Sequence, residues 1–312
     1  MNLKVTSSPH IRSTERTDRI MGSVLLALLP AAAAGVIVFG LRALLVMLLS
    51  VAAAVASEWV LGRIMGRKNV VTDGSAAVTG QRFAMTLPAS APWYVVVLGN
   101  VFAIVVIKGL CGGLGQNVFN PALAGRAFVM LLFPAAVTGY TAVDGVTSAT
   151  PLHHMQMPAL PEESLVDMFL GNINGSIGEV SALALLIGGV YLLARKVISV
   201  RIPASYIGTV AVLTLVFHKT DAPLLWMLYS LLGGGLMPGA LFMATDYASS
   251  PVTAAGQIVY GVGCGLLTVL FRYFGIYPEG VTYAILIMNA CSWAIDRYTG
   301  PRRFGVKKGG AA

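Results

Sequence analysis

Charge is what this sequence has least of. Only 11% of its 312 residues are Asp, Glu, Lys or Arg, against about 25% in a soluble domain. Hydrophobic residues make up 56%, and the mean hydropathy is +0.78. Together these exclude an ordinary soluble domain. Cysteine is nearly as scarce: Cys111, Cys264 and Cys291 stand far apart. No zinc or iron–sulfur ligand set can be built from that spacing, and small residues in or near helices are the ordinary use. Two of the four histidines, His153 and His154, are adjacent, a spacing that rarely serves one metal ion. No metal site is expected. The glycine-rich stretch at 112–121 lacks a following Gly-Lys-Ser/Thr, which excludes a nucleotide P-loop. The net charge of +8 is not a nucleic-acid signature, because its Lys and Arg fall in short loops and tails. No cleavable leader is visible; the first apolar run begins near Met21 and has full spanning length.

What is present is apolar sequence in long runs. Backbone groups in lipid must be satisfied internally, and these runs are too long for barrel strands, so the reading is an all-α polytopic membrane protein. About ten spans are expected, near 21–41, 43–62, 74–88, 92–110, 120–137, 178–194, 203–217, 223–244, 255–271 and 279–296. The long polar interruption divides them five and five. An odd number per half sets the halves in opposite orientations, giving two inverted five-helix repeats. The expected organisation is a cytoplasmic segment 1–20, a first half 21–137, an outer loop 138–177, a second half 178–297 and a basic tail 298–312.

Charge sets the orientation. With the N-terminus inside, sixteen of the 21 Lys and Arg residues fall on inner segments, and only Arg42, Lys219 and Arg272 on outer ones. Arg82 and Arg126 lie within spans. Both termini are thus expected in the cytoplasm. From Ala127 to Ala194 there is no Lys or Arg, while Asp144, Glu162, Glu163, Asp167 and Glu179 all occur there. An acidic loop without positive charge reads as exported.

That loop contains Asp144-Gly145-Val146-Thr147-Ser148-Ala149-Thr150-Pro151. An ordinary Ser/Thr-rich turn opening at Asp144-Gly145 is one reading. The other makes the Thr150 hydroxyl an anchor for a phosphate ester. Ser148 and Ala149 leave the backbone accessible, and Pro151 biases Thr150 towards an extended conformation. The junction Gly112 to Pro121, including Asn117 and Asn120, either cradles a ligand on backbone amides or simply reverses the chain. Glu58, Arg82 and Arg126 lie at membrane depth, where ionisable groups face a cavity or a partner; Glu58, near a span end, has snorkelling to water as its simpler use. Asp73, Asp246 and Asp296, at inner span ends, are cation-uptake carboxylates or helix caps. A redox role would need an organic, tethered cofactor.

The chain resembles the family of membrane proteins that includes RnfD, a component of the Rnf complex, the ion-translocating ferredoxin:NAD oxidoreductase of bacterial membranes. It is similar, more distantly, to NqrB of the sodium-pumping NADH:quinone oxidoreductase. The resemblance rests on Ser8-Pro9-His10, Asp73-Gly74-Ser75-Ala76 with Thr79-Gly80, and Gly112-Gly113-Leu114-Gly115-Gln116-Asn117 with Phe119-Asn120-Pro121. It continues through Ser176-Ile177-Gly178-Glu179, Phe242-Met243-Ala244-Thr245-Asp246 and Tyr277-Pro278-Glu279-Gly280-Val281. The short segment before the first span favours the RnfD branch. The family's attachment motif falls on Asp144, Thr147, Ala149 and Thr150, with Ser148 where Gly is frequent. The resemblance therefore implies FMN joined to Thr150 through a phosphoester, installed outside the membrane by a flavin transferase. It also implies a second, non-covalent flavin, riboflavin, for which Asn117, Asn120 and Arg126 are the candidate pocket residues. Asp73 and Asp246 are the candidates for an ion path. The implied location is the bacterial cytoplasmic membrane, beside other Rnf subunits and lipid.

Two function classes follow. One is an electron-relaying subunit of a redox-driven translocase of Na⁺ or H⁺, inactive alone and without catalytic residues of its own. The other is a solute channel or carrier in which 144–150 is merely a turn. Flavin retained on denatured protein separates them.

Overall fold

The computed structural model describes residues 16–66, 71–111, 115–139, 160–161, 163–171, 173–275 and 279–300. Among these every element is helical, and every expected span coincides with helix. The first half runs α1 (Thr17–Phe39), α2 (Leu41–Ile64), α3 (Ser75–Met85), α4 (Trp93–Val101), α5 (Pro121–Leu132) and the short α6 (Pro134–Thr138). The last turns of α4 widen into a π-helix over Phe102–Leu110. After α7 (Leu165–Leu170), the second half runs α8 (Ala182–Ala194), α9 (Arg201–Val216), α10 (Pro223–Leu232), α11 (Leu236–Pro238, then π-helical over Gly239–Met243), α12 (Ala254–Phe274) and α13 (Val281–Thr299).

Four helices are long and apolar enough to cross a membrane: α1, α2, α4 with its π-helical extension, and α12. A fifth arises if α10 and α11 count as one span bent by 63°. Several expected spans are thus shorter than a crossing. At about 1.5 Å per residue, the 11-residue α3 and 12-residue α5 reach only about 16–18 Å of a hydrocarbon core near 30 Å. The causes are local. Pro88 stands three residues beyond α3, and Phe133-Pro134 closes α5. Gly233-Gly234-Gly235 breaks the eighth span, with Gly234 at φ +67°, a conformation that other residues rarely adopt.

Lipid gives helices no hydrophobic drive to associate, so close approach of small residues carries the packing. α1 lies against α8 and α5 against α13. These contacts join the chain before residue 138 to the chain after residue 177. At the α1–α8 contact, a methyl group on Gly188 would sit 2.0 Å from the Ala27 carbonyl oxygen. In the second half, Gly261 and Gly265 of α12 bring its backbone onto α9, 2.9 and 3.0 Å from the Ile202 and Tyr206 carbonyls by the same measure. Large apolar side chains such as Ile37, Leu41, Ile64 and Phe274 are exposed on the outside, as a lipid-facing surface requires.

Gly188→Ala should force α1 and α8 apart and lower stability by about 1–3 kcal/mol, seen as a lower thermal midpoint in detergent. Gly22→Ala, also in α1 but with open space around it, should leave the midpoint unchanged or raised.

Candidate functional site

Two interrupted helices begin at the same place. The N-terminus of α3, at Ser75, and that of α5, at Pro121, both line a cavity of about 340 Å³. Its walls also include Thr17 and Met21 of α1, Arg82 of α3, Lys108 of the π-helical segment, and Asp246, Tyr247 and Ala248. Asn120 sets the start of α5: its side-chain oxygen accepts from the Ala122 and Leu123 amides, and its Nδ2 donates to the Met243 carbonyl at 3.0 Å. That second bond ties the first half to the π-helical end of α11. Asn117 is buried at the wall, and its Oδ1 has no hydrogen-bond partner among the described residues.

The cavity's charges are paired. Arg82 meets Asp246 at 2.9 Å, joining the halves. Lys108 meets Glu58 of α2 and also donates to Ser75 Oγ. Ser75 in turn donates to Asp73 Oδ1 at 2.6 Å. Among the described residues, two salt-bridged pairs leave the wall with no surplus charge. Asp73 and Asn120 already cap the amides that open α3 and α5, so the Asn117 oxygen is the group that remains to meet a ligand. Such a wall fits a neutral, polar, hydrogen-bonding molecule better than a phosphate.

The sequence-predicted residues divide. Asn117, Asn120 and Asp246 line this cavity, and Asp73 stands one hydrogen bond behind its wall. Arg126 does not line it. It lies in a separate pocket with Glu179 at 3.8 Å and in contact with Glu279, again bridging the halves. Asp144, Thr147, Ser148, Ala149 and Thr150 lie outside the described residues, as do His153 and His154. The chain on either side of them is anchored: Ser90 donates to the Gly139 carbonyl at 2.8 Å, and Tyr229 to the Glu163 carbonyl at 2.8 Å. Glu58 does not snorkel; it is 3% exposed and salt-bridged. Asp296 accepts from the Val252 and Thr253 amides at the start of α12, the capping use.

Charge counting misplaces Lys108 and Arg272. Counted as loop cations, both are buried. Lys108 sits in the cavity wall, and Arg272 donates to the Ser230 and Gly233 carbonyls at the break of the eighth span. The signal in the sequence is a single Lys inside Phe102-Ala103-Ile104-Val105-Val106-Ile107-Lys108, with a matching Glu58 in an equally apolar run.

These features define an all-helical polytopic membrane protein with interrupted helices meeting at a polar cavity between two halves. The chain belongs to the NQR2, RnfD, RnfE family, whose model matches residues 4–305. It is 47% identical to the D-type subunit of the Na⁺-translocating ferredoxin:NAD⁺ oxidoreductase complex of Acetobacterium woodii, over 99% of this chain and 97% of that protein. It is 43% identical to the D-type subunit of the proton-translocating ferredoxin:NAD⁺ oxidoreductase complex of Clostridium ljungdahlii, over 97% and 96%. Against the D-type subunit of the ion-translocating oxidoreductase complex of Escherichia coli the identity is 34%, over 99% and 100%.

Asp246→Leu leaves Arg82 in the cavity wall without its carboxylate. The expected loss is roughly 2–3 kcal/mol, below the roughly 3–5 of a fully buried pair, because the two side chains remain 11% and 19% exposed. The double variant Arg82→Met with Asp246→Leu should recover most of it. Thermal unfolding in detergent checks both.

Proposed function

We propose that this chain is the D-type subunit of a membrane ferredoxin:NAD⁺ oxidoreductase complex, carrying flavin and relaying electrons between the complex's redox centres while Na⁺ or H⁺ crosses the membrane. The observation that carries this reading is identity of 47% and 43% along nearly the whole chain to two proteins of that name. The attachment motif from Asp144 to Thr150 stands intact in the sequence beside it.

FMN is held at Thr150 through a phosphoester, on a loop outside the cytoplasmic membrane, where a flavin transferase reaches it. The cavity between the halves holds the second flavin, riboflavin. Its volume suits a tricyclic ring with a polyol tail. Asn117, whose Oδ1 has no partner among the described residues, is the group that would hold the ring's polar edge. The balanced charge of the wall agrees with a flavin that has no phosphate. When bound, such a ring supplies one-electron chemistry that the protein's own side chains lack. Asp246 and Asp73, at and behind the wall, are the carboxylates assigned to ion uptake. The donor and acceptor of the relayed electron belong to other subunits, so the chain acts only in assembly with them.

Two experiments test this. Mass spectrometry of the peptide containing 144–151 should find FMN on Thr150 in protein from cells with a working transferase. Thr150→Ala should abolish it, Thr150→Ser should keep part, Asp144→Asn should impair it, and Thr147→Ala or Ser148→Ala should only slow it. An unmodified Thr150, or covalent flavin surviving in Thr150→Ala, overturns the assignment. For the topology, Val166 is 64% exposed on α7. With the native cysteines removed, Val166→Cys should react with an impermeant maleimide in cells whose outer barrier alone is opened. Reaction only after the cytoplasmic membrane is breached places the loop inside instead.

A further inference from the structure

Glu58, Lys108, Ser75 and Asp73 form one hydrogen-bonded row. It starts in a buried carboxylate whose Oε2 has no hydrogen-bond partner among the described residues. It passes through Lys108 Nζ, which touches both Glu58 and Ser75 Oγ. It then runs from Ser75 Oγ to Asp73 Oδ1 at 2.6 Å. Exposure changes along the row. Glu58 and Lys108 are 3% and 4% exposed, Ser75 is buried, and Asp73 is half-buried at the turn before α3. Lys108 and Ser75 line the cavity; Glu58 and Asp73 do not. Asp73 also caps α3, accepting from the Ser75 amide at 2.9 Å, and this fixes the Ser75 hydroxyl between the buried ion pair and a half-buried carboxylate.

We propose that Lys108 is the proton donor to a reducible ligand in the cavity, reloaded from water through Ser75 and Asp73. The proposal rests on the cavity holding a flavin-type ring. When bound, such a ring would take negative charge with an electron from a one-electron donor in a partner subunit. Lys108 would then break an N–H bond and pass its proton to the ring. The neutral amine takes the Ser75 hydroxyl proton as Ser75 accepts a proton that Asp73 takes from water. The net change is one proton moved from water to ligand for one electron delivered, with Lys108, Ser75 and Asp73 restored. Glu58 drives the reloading, because a buried carboxylate facing a neutral amine has lost its partner charge. The other charged groups lining the cavity, Arg82 and Asp246, are salt-bridged to each other, so Lys108 is the donor whose own hydrogen bonds lead out.

The test uses the full chain in mild detergent, loaded with riboflavin and reduced by one electron with a photochemical donor. Proton uptake is followed with an indicator dye, and the absorbance of the bound ring reports whether its reduced form is protonated. Wild type should take up a proton with the first electron. Asp73→Asn, which alters no cavity-lining residue, should bind riboflavin as wild type does but slow uptake by about tenfold or more, less than the roughly 100-fold or more of a general acid itself, because Asp73 only resupplies the donor. Asp73→Glu should restore it. Ser75→Ala should match Asp73→Asn, and the charge-neutral double variant Glu58→Gln with Lys108→Gln should leave the reduced ring in its anionic form. Wild-type uptake rates in both Asp73→Asn and Ser75→Ala overturn the proposal while leaving the cavity's ligand assignment intact. Failure of riboflavin to bind wild type overturns the ligand assignment, and this proposal with it.

Discussion

A peptide group without a hydrogen-bond partner inside a lipid bilayer costs several kcal/mol, and this fold interrupts its helices at membrane depth. The arrangement of the molecule follows from how those ends are satisfied. The last carbonyls of α3 accept from the backbone of the chain entering α8: Gly178 donates to Met85 at 2.8 Å and Ile177 to Leu87 at 2.9 Å. The break after α10 is met by Arg272, whose guanidinium donates to two of its carbonyls. Near the other end of the same broken span, Met243 receives the amide of Asn120. Two of these three repairs cross between the halves, so neither half could bury its interrupted helices alone.

The same division explains where the ions are. Buried pairs rarely add stability over apolar packing, but breaking one strands a charge. Arg82 with Asp246 and Arg126 with Glu179 and Glu279 each join the two halves. Lys108 with Glu58 stays within the first half. The cross-half pairs act as registration marks at two separate polar pockets, since any slip of one half would separate several charges at once. The pair inside one half carries no such duty, which leaves it free for chemistry.

Much of this is legible from sequence. Ten apolar runs coincide with helix, because length and hydropathy alone decide that in a bilayer. The breaks are partly legible: Pro88, Pro134 and the Gly233-Gly234-Gly235 run mark them. Their depth is not, since a short apolar helix and a spanning one look alike until packing is known. Asn117 and Asn120 can be placed at a ligand cradle because a glycine-rich junction running into Pro121 announces a helix N-terminus. Lys108 and Arg272 escape for a definite reason. Counting charges treats every cation near a span end as a loop residue, and the partners that bury these two are 50, 42 and 39 positions away. No local pattern encodes such a distance. Arg126 groups with the cavity in sequence because it follows Asn120 closely in α5. Its six-position offset carries it well over a turn further along the helix, to the pocket of Glu179 and Glu279.

The cavity's electrostatics constrain what can move through it. A site meant to bind an anion permanently would keep an uncompensated cation, and one meant to hold a metal cation would keep surplus carboxylate. Among the described residues each cation lining this wall has its own carboxylate, and Asp73 stands behind it as one further carboxylate. A neutral ring can therefore dwell there in its oxidised form without electrostatic cost. Were such a ring to gain an electron, the same wall would offer no fixed counter-charge, and the cheapest compensation would be a proton. The side-chain donors lining it besides the salt-bridged Arg82 include Lys108, Ser75 and the amide of Asn117. Backbone and side-chain amides do not give up protons under these conditions, and a hydroxyl does so only when it is resupplied in the same step. Lys108 is the one among them that can both lose a proton and recover it, since Glu58 holds its charged form in place. On the proposed reading, the paired charges of the wall and the ammonium at its edge are two parts of one arrangement, which would be neutral before an electron came and could become neutral again after it.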